Sequence, residues 1–315
     1  QPGDAVAGSP LSTQPVVVIQ DDSGNVVTSS IMPVKLTITS GTGSSGAGLF
    51  GPSTVNAVDG EVRFQNLSVN KAGTGYTLTA SSGDLTPAVS TPFNISPGAP
   101  AKLAFTVQPS DGTAGSPLAT QPEVTVQDRF GNQVAGYEGE VTLSITTGTG
   151  PRTAALSGTV TVPMVDSLAQ FTDIQVNTST RDYTLTATSG TLEQAESAPF
   201  TIEHTTPTKL EFTVQPSEAV AGRPFGGQPK VAIEDIYGNV ALSARDSITV
   251  AITPGTGVAG AVLSGTLTLV AEGGLGGLAE FEDLAIDLAG SGYTLTATSG
   301  NLTPATSQPF DVAVR

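Results

Sequence analysis

The stretch YTLTATSG, residues Tyr183–Gly190, decides the fold of this 315-residue chain, because the sequence contains it three times. It recurs unchanged at Tyr293–Gly300 and with one substitution at Tyr76–Gly83. Successive copies of its tyrosine, at positions 76, 183 and 293, are 107 and then 110 residues apart. A period of this length is the size of a whole small domain rather than of a solenoid repeat. The sequence therefore predicts three tandem copies of one folding unit.

Residue pairs that repeat around the phrase define the boundaries of the three copies. Gln-Pro pairs stand at residues 1, 108 and 215, so they recur every 107 residues. We predict three repeats, at residues 1–100, 101–207 and 208–315. The joining segments Ser96–Pro100 and Glu203–Pro207 contain proline and no long Gly/Ser run, which predicts semi-stiff joints. The three extra residues of the third copy are predicted in the glycine-rich stretch Ala271–Gly277, since loop tips accept insertions at low cost.

Apolar residues alternate with polar ones through most of the chain. The runs Val124–Val126 and Val141–Ile145 show this period of two, which is typical of β-strands with one buried face. Clusters of Gly, Pro, Asn and Asp separate the runs, and no window shows convincing helical periodicity. We therefore predict an all-β chain of three tandem immunoglobulin-like antiparallel β-sandwiches arranged end to end, each with seven or so strands.

The repeated phrase fits strand F of such a sandwich. In immunoglobulin-like domains a tyrosine near the start of this strand hydrogen-bonds back to the backbone, two positions before a core residue. Each tyrosine of the phrase stands two residues before a leucine, so three structural residues are predicted: Tyr76, Tyr183 and Tyr293. This explanation of the phrase is structural and requires no ligand.

A second repeated segment resembles a known family. The segment Val124–Val134, VTVQDRFGNQV, is similar to the V-x-D-x-x-G-N-x-V signature of bacterial Ig-like repeats in invasin/intimin-type adhesins and other large bacterial surface proteins. Matching segments, VVIQDDSGNVV and VAIEDIYGNVA, lie at residues 17–27 and 231–241, so the resemblance extends over nearly the whole chain. It implies extracellular or cell-surface modules without enzymatic activity that act as rigid spacers, with adhesion confined to a distal domain.

The composition of the chain argues against several classes of partner and of site. The formal net charge is −16, from 12 Lys and Arg against 28 Asp and Glu, which argues against nucleic acid and anionic membranes as partners. No apolar run approaches the ~18 residues of a membrane-spanning helix, so we predict no membrane insertion. The chain has no cysteine, which excludes disulfides and thiolate metal sites.

Three aspartates precede the Gly-Asn turns of the signature and are weak calcium candidates: Asp21, Asp128 and Asp235. A protein calcium site needs six to eight oxygen ligands, whereas each of these loops offers one or two carboxylates. The alternative is a local turn, in which the carboxylate accepts backbone N–H groups while glycine takes a positive φ. We predict the turn and no cofactor, which makes three glycines structural: Gly24, Gly131 and Gly238.

Enzymatic function finds no support in the sequence. The single histidine, His204, lies in the second joining segment, and no nucleophile motif accompanies it. We predict that the chain is not an enzyme and that His204 belongs to the joint. Four Asn-x-Ser/Thr sequences are expected to be ordinary surface residues, at Asn66, Asn94, Asn177 and Asn301.

The function predicted from the sequence is that of an extracellular spacer or stalk in a bacterial surface or adhesin protein. Its partners would be further Ig-like repeats of the same or neighbouring chains. One alternative is a subunit of a self-assembling filament or surface layer, and another is a ligand-binding adhesin module.

A sequence difference between the copies supports the filament alternative. The second and third copies begin with KLAFTV (Lys102–Val107) and KLEFTV (Lys209–Val214), whereas the first begins after that strand. Two explanations compete: the chain is cut from a longer array, or its N-terminus is that of the mature protein and another chain supplies the strand. In the second case, the alternating tail Pro309–Arg315 of one molecule could complete the open sheet edge of the next, head to tail.

Overall fold

The computed structural model of the chain describes residues 1–272 and 276–315. These residues form strands, turns and loops and no helix, which confirms the prediction of an all-β, immunoglobulin-like fold. No helix suited to crossing a membrane occurs in the described ranges. The insertion predicted at Ala271–Gly277 lies in part outside the described residues, because positions 273–275 are not among them.

Thirty-five strands, β1–β35, follow one another along the described residues. The first repeat contains β1 (Ala5–Val6), β2 (Val16–Val18), β3 (Pro33–Ile38), β4 (Leu49–Phe50), β5 (Thr54–Asn56), β6 (Glu61–Arg63), β7 (Ser68–Val69), β8 (Gly73–Tyr76), β9 (Leu78–Ser81), β10 (Ala88–Val89) and β11 (Phe93–Ser96). The second contains β12 (Lys102–Val107), β13 (Gly112–Thr113), β14 (Glu123–Gln127), β15 (Glu140–Ile145), β16 (Leu156–Ser157), β17 (Thr161–Pro163), β18 (Leu168–Gln170), β19 (Gln175–Val176), β20 (Thr180–Tyr183), β21 (Leu185–Thr188), β22 (Ala195–Glu196) and β23 (Phe200–Glu203). The third contains β24 (Lys209–Val214), β25 (Ala219–Val220), β26 (Lys230–Glu234), β27 (Ser247–Ile252), β28 (Leu263–Ser264), β29 (Thr268–Val270), β30 (Leu278–Glu280), β31 (Ala285–Ile286), β32 (Gly290–Tyr293), β33 (Leu295–Thr298), β34 (Ala305–Thr306) and β35 (Phe310–Ala313).

The second and third repeats share one sheet topology. In the second, three strands pair in the order β12–β14–β18 and four in the order β17–β15–β21–β22. The short strand β13 runs parallel to β23, which pairs antiparallel with β20. The third repeat matches this arrangement with β24–β26–β30, β29–β27–β33–β34 and β25–β35–β32. The first repeat has the corresponding four-stranded and parallel-containing sheets. Its strand β2, however, pairs with β6 alone within the part of the chain that the structure describes.

Alternation along each strand separates a buried face from a hydroxyl-rich outer face. In β15, Val141 and Leu143 are buried, while the Thr142 hydroxyl lies 2.9 Å from that of Thr161 on the neighbouring strand. Such cross-strand hydroxyl pairs stabilise a sheet modestly, whereas each fully buried aliphatic side chain contributes about 1.5–3 kcal/mol. The buried apolar side chains form three clusters. Each cluster draws its buried residues from one repeat, so the cores are separate.

The tail proposed as a strand donor is already part of its own repeat. Residues Phe310–Ala313 form β35, which pairs with both β25 and β32. Val312 is buried at 3% exposure, and Phe310 packs edge-on against Phe225 with ring centroids 5.5 Å apart. Only Val314 and Arg315 extend beyond the strand. Completion of another molecule's first repeat by this tail would dismantle the sheet that holds it, and it stays a prediction.

Candidate functional site: the joints between repeats

The Asp-x-x-Gly-Asn segments fold into tight turns after the second main strand of each repeat. In the second repeat, one carboxylate oxygen of Asp128 accepts hydrogen bonds from the backbone N–H groups of Phe130 (2.8 Å) and Asn132 (2.9 Å). Gly131 takes a φ of +78°, which allows the chain to reverse at this point. Its counterparts Gly24 and Gly238 have φ values of +82° and +84°.

The second carboxylate oxygen of the turn reaches the segment that joins two repeats. The Gly98 N–H donates to Asp128 Oδ2 at 2.8 Å, and the Asn132 side-chain amide donates to the same oxygen at 2.8 Å. The second joint uses the same pattern, since the Thr205 N–H donates to Asp235 Oδ2 at 3.0 Å. The aspartate thus fixes its own turn and the joining segment together.

The asparagine of each turn binds the preceding repeat. Asn132 Nδ2 donates to the Asn70 carbonyl at 2.9 Å, and Asn132 Oδ1 accepts from the Ala72 N–H at 2.9 Å. Asn239 makes the same pair of contacts with residues 177 and 179, at 2.9 and 2.8 Å. Two backbone groups of one repeat are therefore held by one side chain of the next.

The tyrosine of the repeated phrase holds the loop that receives this asparagine. The Tyr76 hydroxyl donates to the Lys71 carbonyl at 2.9 Å, between the two residues that Asn132 contacts. The Tyr183 hydroxyl likewise donates to the Thr178 carbonyl at 2.9 Å. Both rings are fully buried. The phrase recurs because each copy needs this corner, and the corner also shapes the surface on which the next repeat docks.

Tyr183→Phe is expected to remove one hydrogen bond and so lower the free energy of unfolding of the second repeat by about 0.5–1.5 kcal/mol. It should also increase motion at the second joint, because the loop at Thr178 loses its anchor. Tyr293→Phe is the matched control, since the Tyr293 hydroxyl bonds to Leu288 in a loop that holds no other repeat in the described chain. Peptide-resolved hydrogen exchange measures both effects. If Tyr183→Phe reduced protection from hydrogen exchange equally in all three repeats, this result would contradict the presence of separate cores.

An aromatic side chain in each joint covers a glycine of the preceding repeat. Phe130 packs against the core of the first repeat, and a Cβ at Gly8 would overlap its ring. Tyr237, the counterpart of Phe130, lies in the same way on Gly115. A side chain at either glycine would overlap the aromatic ring, so the ring would have to leave its contact with the preceding repeat. The contact adds an apolar component to the hydrogen bonds of the turn.

Hydrogen bonding shifts the ionisation of the joint aspartates. Burial raises the pKa of the Asp128 carboxyl, but hydrogen bonds from the Asn132 side chain and the Gly98 backbone lower it more, so the pKa lies below its ordinary value. Asp235 shows the same balance, again with a lowered pKa. The joints are therefore built around ionised carboxylates.

Acid is expected to loosen the joints. A carboxyl whose pKa is lowered on folding adds stability that is present above its unfolded pKa of about 3.9 and is lost as the pH falls through the folded value. The thermal midpoint of the second repeat should thus fall as the pH drops below about 4. In Asp128→Asn the thermal midpoint of the second repeat should depend less on pH below about 4. An identical acid profile in wild type and Asp128→Asn would contradict the assignment.

The turn of the first repeat makes no contact with another repeat in the described chain. Asp21 is exposed, and its carboxylate accepts from the N–H groups of Ser23 and Asn25 at 2.9 Å. These bonds lower the pKa of the Asp21 carboxyl, the Asn25 backbone contributing most. The position of Phe130 and Tyr237 is taken here by Ser23, which lacks the aromatic ring of the joints.

The geometry of the aspartates bears on the calcium hypothesis. The two oxygens of Asp128 together accept four N–H donors, which is about the full capacity of a carboxylate. A cation would have to displace these donors. Within residues 1–272 and 276–315, no group of three or more His, Cys, Asp or Glu side chains could hold a metal ion. We expect the joints to be independent of calcium.

His204 lies across the second joint. Its Nδ1 is 2.8 Å from the Thr205 carbonyl oxygen, and its Nε2 is 3.1 Å from the Ser243 hydroxyl of the third repeat. A cavity of about 610 Å³ beside it is lined by residues of both repeats, including Arg181 and Leu242. The backbone carbonyl of Thr205, rather than a carboxylate, orients the imidazole. The contact between His204 and Ser243 links the joining segment to the third repeat.

The four asparagines of the Asn-x-Ser/Thr sequences are all exposed.

The similarity of the chain to known proteins is confined to solved structures at low identity. No protein-family model matches the chain, and no curated protein matches its sequence. Among solved structures it is similar to FdeC, an adhesin of Escherichia coli, with 16% identity over 99% of this chain and 94% of that chain, at a TM-score of 0.34. It is similar to invasin, a bacterial integrin-binding protein, with 15% identity over 98% of this chain, at a TM-score of 0.32, and spans 58% of that chain. The FN1–FN3 domains of chicken CNTN1 give 12% identity, 100% and 99% coverage and a TM-score of 0.32.

Proposed function

We propose that this chain is a stiff spacer segment of a bacterial surface protein, located outside the cell, which holds successive Ig-like repeats in a fixed mutual orientation. The observation that carries the proposal is the repeated joint. Two pairs of repeats are connected by the same hydrogen bonds, and each joint adds an aromatic contact to them. Such repetition favours a mechanical role, because a binding site needs to be built only once.

Three features of the joint limit bending. The aspartate fixes the joining segment, the asparagine holds two backbone groups of the preceding repeat, and the aromatic ring fills the space over a glycine. Each contact involves backbone or buried atoms, so a change in the angle between repeats would break several of them together. The proposal assigns no catalytic role and no cofactor to the chain.

The filament alternative receives less support from the same geometry. A second molecule docking head to tail through this joint would present the turn of its first repeat, where Ser23 replaces the aromatic side chain. The hydrogen bonds of Asp21 and Asn25 could form. The apolar contact could not form over Gly222, which is the counterpart of Gly8 and Gly115 in the third repeat. The further repeats of a longer chain are more suitable partners for the exposed end of the third repeat.

Distances between spin labels test the stiffness directly. The chain has no cysteine, so Val58→Cys and Val165→Cys introduce two unique labelling sites. These side chains are 70% and 71% exposed and lie on either side of the first joint. We expect a narrow distance distribution in the labelled protein and a clearly broader one after Asn132→Ala, because the two bonds to residues 70 and 72 are lost.

Asn25→Ala is the matched control for this experiment. Asn25 occupies the position of Asn132 in the first repeat, but among the described residues its side chain bonds only to Asp21. The distance distribution should stay narrow in this variant. A distribution in the parent protein that is already as broad as in Asn132→Ala would show that the joint does not hold the repeats, and would overturn the spacer proposal.

A further inference from the structure

The second joint carries side chains that the first joint lacks at the same positions. Its cavity of about 610 Å³, called the second-joint cavity below, is lined by residues that include Arg181, His204 and Ser243. Their counterparts 107 positions earlier are Thr74, Pro97 and Gly136. The hydrogen bonds and the aromatic contact that hold the repeats together occur in both joints. Holding two repeats together therefore does not require these three side chains.

The strand that places Arg181 at the cavity has an unfavourable backbone conformation. Strand β20 reads Thr-Arg-Asp-Tyr, whereas its counterparts β8 and β32 read Gly-Thr-Gly-Tyr and Gly-Ser-Gly-Tyr. Asp182 has a φ of +60°, in the left-handed region that Gly75 and Gly292 occupy at +70° and +71°. Glycine takes this conformation freely, while aspartate takes it at a cost in energy. Backbone strain of this kind concentrates at functional sites, and here it lies next to the residue that is arginine instead of threonine or serine.

A hydrogen bond that closes this strand in the other repeats is replaced in the second. The Gly75 N–H donates to Asn94 Oδ1 at 3.0 Å, and the Gly292 N–H donates to Asp311 Oδ1 at 2.9 Å. The second repeat has Thr201 in place of the asparagine and the aspartate. Within the described chain the shorter Thr201 side chain does not make this bond, and it lines the cavity instead. Its hydroxyl is thus available to a ligand.

The charged groups of the cavity favour a ligand with one carboxylate. Arg181 is exposed, and no ion pair holds it to a carboxylate of the described residues. A guanidinium binds a carboxylate through two parallel hydrogen bonds. Glu203 lines the same cavity, so a doubly charged phosphate would be repelled, whereas ligand hydroxyl groups could donate to the Glu203 carboxylate.

The remaining lining favours a hydroxylated ring. Besides Thr201, two further hydroxyl side chains line the cavity, those of Ser179 and Thr180. Leu242 of the third repeat is 44% exposed there and offers apolar surface to the C–H groups of a ring. The volume of the cavity lies within the range of about 300–1,000 Å³ that is usual for small-molecule sites. A sugar acid combines the carboxylate, the hydroxyl groups and the apolar ring face.

We propose that the second-joint cavity binds a hexuronate unit of an acidic saccharide. Arg181 binds its carboxylate, the hydroxyl side chains and Glu203 bind its hydroxyl groups, and Leu242 contacts its ring. The site goes beyond the spacer role. It needs an ordered second joint, but the two proposals can fail separately, because spin-label distances measure the stiffness of a joint without any ligand.

Titration of the isotope-labelled full chain with sodium D-glucuronate and, separately, with sodium D-galacturonate tests the site by backbone amide shifts. We expect saturable shifts at residues 179–181, 201–204 and 242–243, with a dissociation constant on the order of 1 mM for at least one of the two. D-glucose, sodium acetate and sodium phosphate should each bind at least about tenfold more weakly, since each lacks the carboxylate, the hydroxylated ring or both. Absence of saturable shifts at these residues with both uronates would overturn the proposal, and so would acetate or phosphate binding as strong as that of the uronates.

Arg181→Thr gives the second repeat the residue that the first repeat has at this position, so the fold should be retained, and an unchanged thermal midpoint checks this. The variant should weaken uronate binding by about tenfold or more, because a charge-assisted pair of hydrogen bonds is lost. Arg152→Thr is the matched control, since Arg152 is exposed in the same repeat and is not part of the cavity lining. It removes the same charge and should leave the dissociation constant unchanged. Equal weakening by the two substitutions, or no weakening by Arg181→Thr, would show that Arg181 does not bind the carboxylate and would overturn the assignment.

Discussion

Asp128→Ala is expected to lower the free energy of unfolding of the second repeat by about 3 kcal/mol, because it removes a buried carboxylate and leaves its N–H donors without an acceptor. Asp128 is 1% exposed and accepts four hydrogen bonds, one of them from the joining segment. For a domain of this size the loss corresponds to a fall of roughly 10–20 °C in the thermal midpoint. Calorimetry measures the fall in the midpoint, and peptide-resolved hydrogen exchange assigns the transition to the second repeat.

Asp21→Ala is the control for this prediction. It removes the same turn aspartate from the first repeat, where the side chain is exposed and contacts no joining segment, so its effect should be clearly smaller. Both results should be the same with and without EDTA. Equal destabilisation by the two substitutions would mean that the joint adds nothing to the turn. A fall of several degrees in the wild-type midpoint on adding EDTA would favour calcium over the turn.

Gly150→Ala should destabilise the second repeat by about 3 kcal/mol or more, although it adds a single methyl group. Gly150 has a φ of +74°, and a Cβ at this position would overlap the ring of Tyr183. The substitution therefore strains the backbone and displaces the buried tyrosine that anchors the joint loop. Gly43 and Gly257 contact Tyr76 and Tyr293 in the same way.

Gly148→Ala separates the cost of the strained backbone from the cost of displacing the buried tyrosine. Gly148 also has a positive φ, +93°, but no atom lies within 4 Å of a Cβ built there. Its substitution should cost only the backbone term of about 1 kcal/mol. Chemical denaturation of both variants gives the comparison. If Gly148→Ala and Gly150→Ala are equally destabilising, the contact with the tyrosine ring is not what fixes glycine at position 150.

Local patterns in the sequence were sufficient for the fold class. Alternation predicted the strands because one face of each sheet is buried, and the tyrosine two residues before a leucine predicted the corner. The turn at Asp128 was predicted as a local structure, since its first two hydrogen bonds are to residues two and four positions along the chain. These interactions have short range, so a single sequence contains enough information to infer them.

The joints required contacts that no local pattern encodes. Asn132 bonds to residues about 60 positions earlier, and Phe130 covers Gly8 from the following repeat. One signal was present: the turn has an aromatic residue in the second and third copies, whereas the first has Ser23. The pairing of the tail was also beyond the reach of local patterns. Alternation shows that Phe310–Ala313 is a strand but not which sheet it joins.

Residual dipolar couplings of the weakly aligned chain test the central claim, that the joints hold the three repeats in one fixed orientation. Couplings from the strands of each repeat define an alignment tensor for that repeat. The account predicts three tensors of equal magnitude and rhombicity, because rigidly joined bodies tumble together, and unequal tensors in the Asn132→Ala, Asn239→Ala double variant. Tensors of clearly different magnitude in the unaltered protein would contradict it.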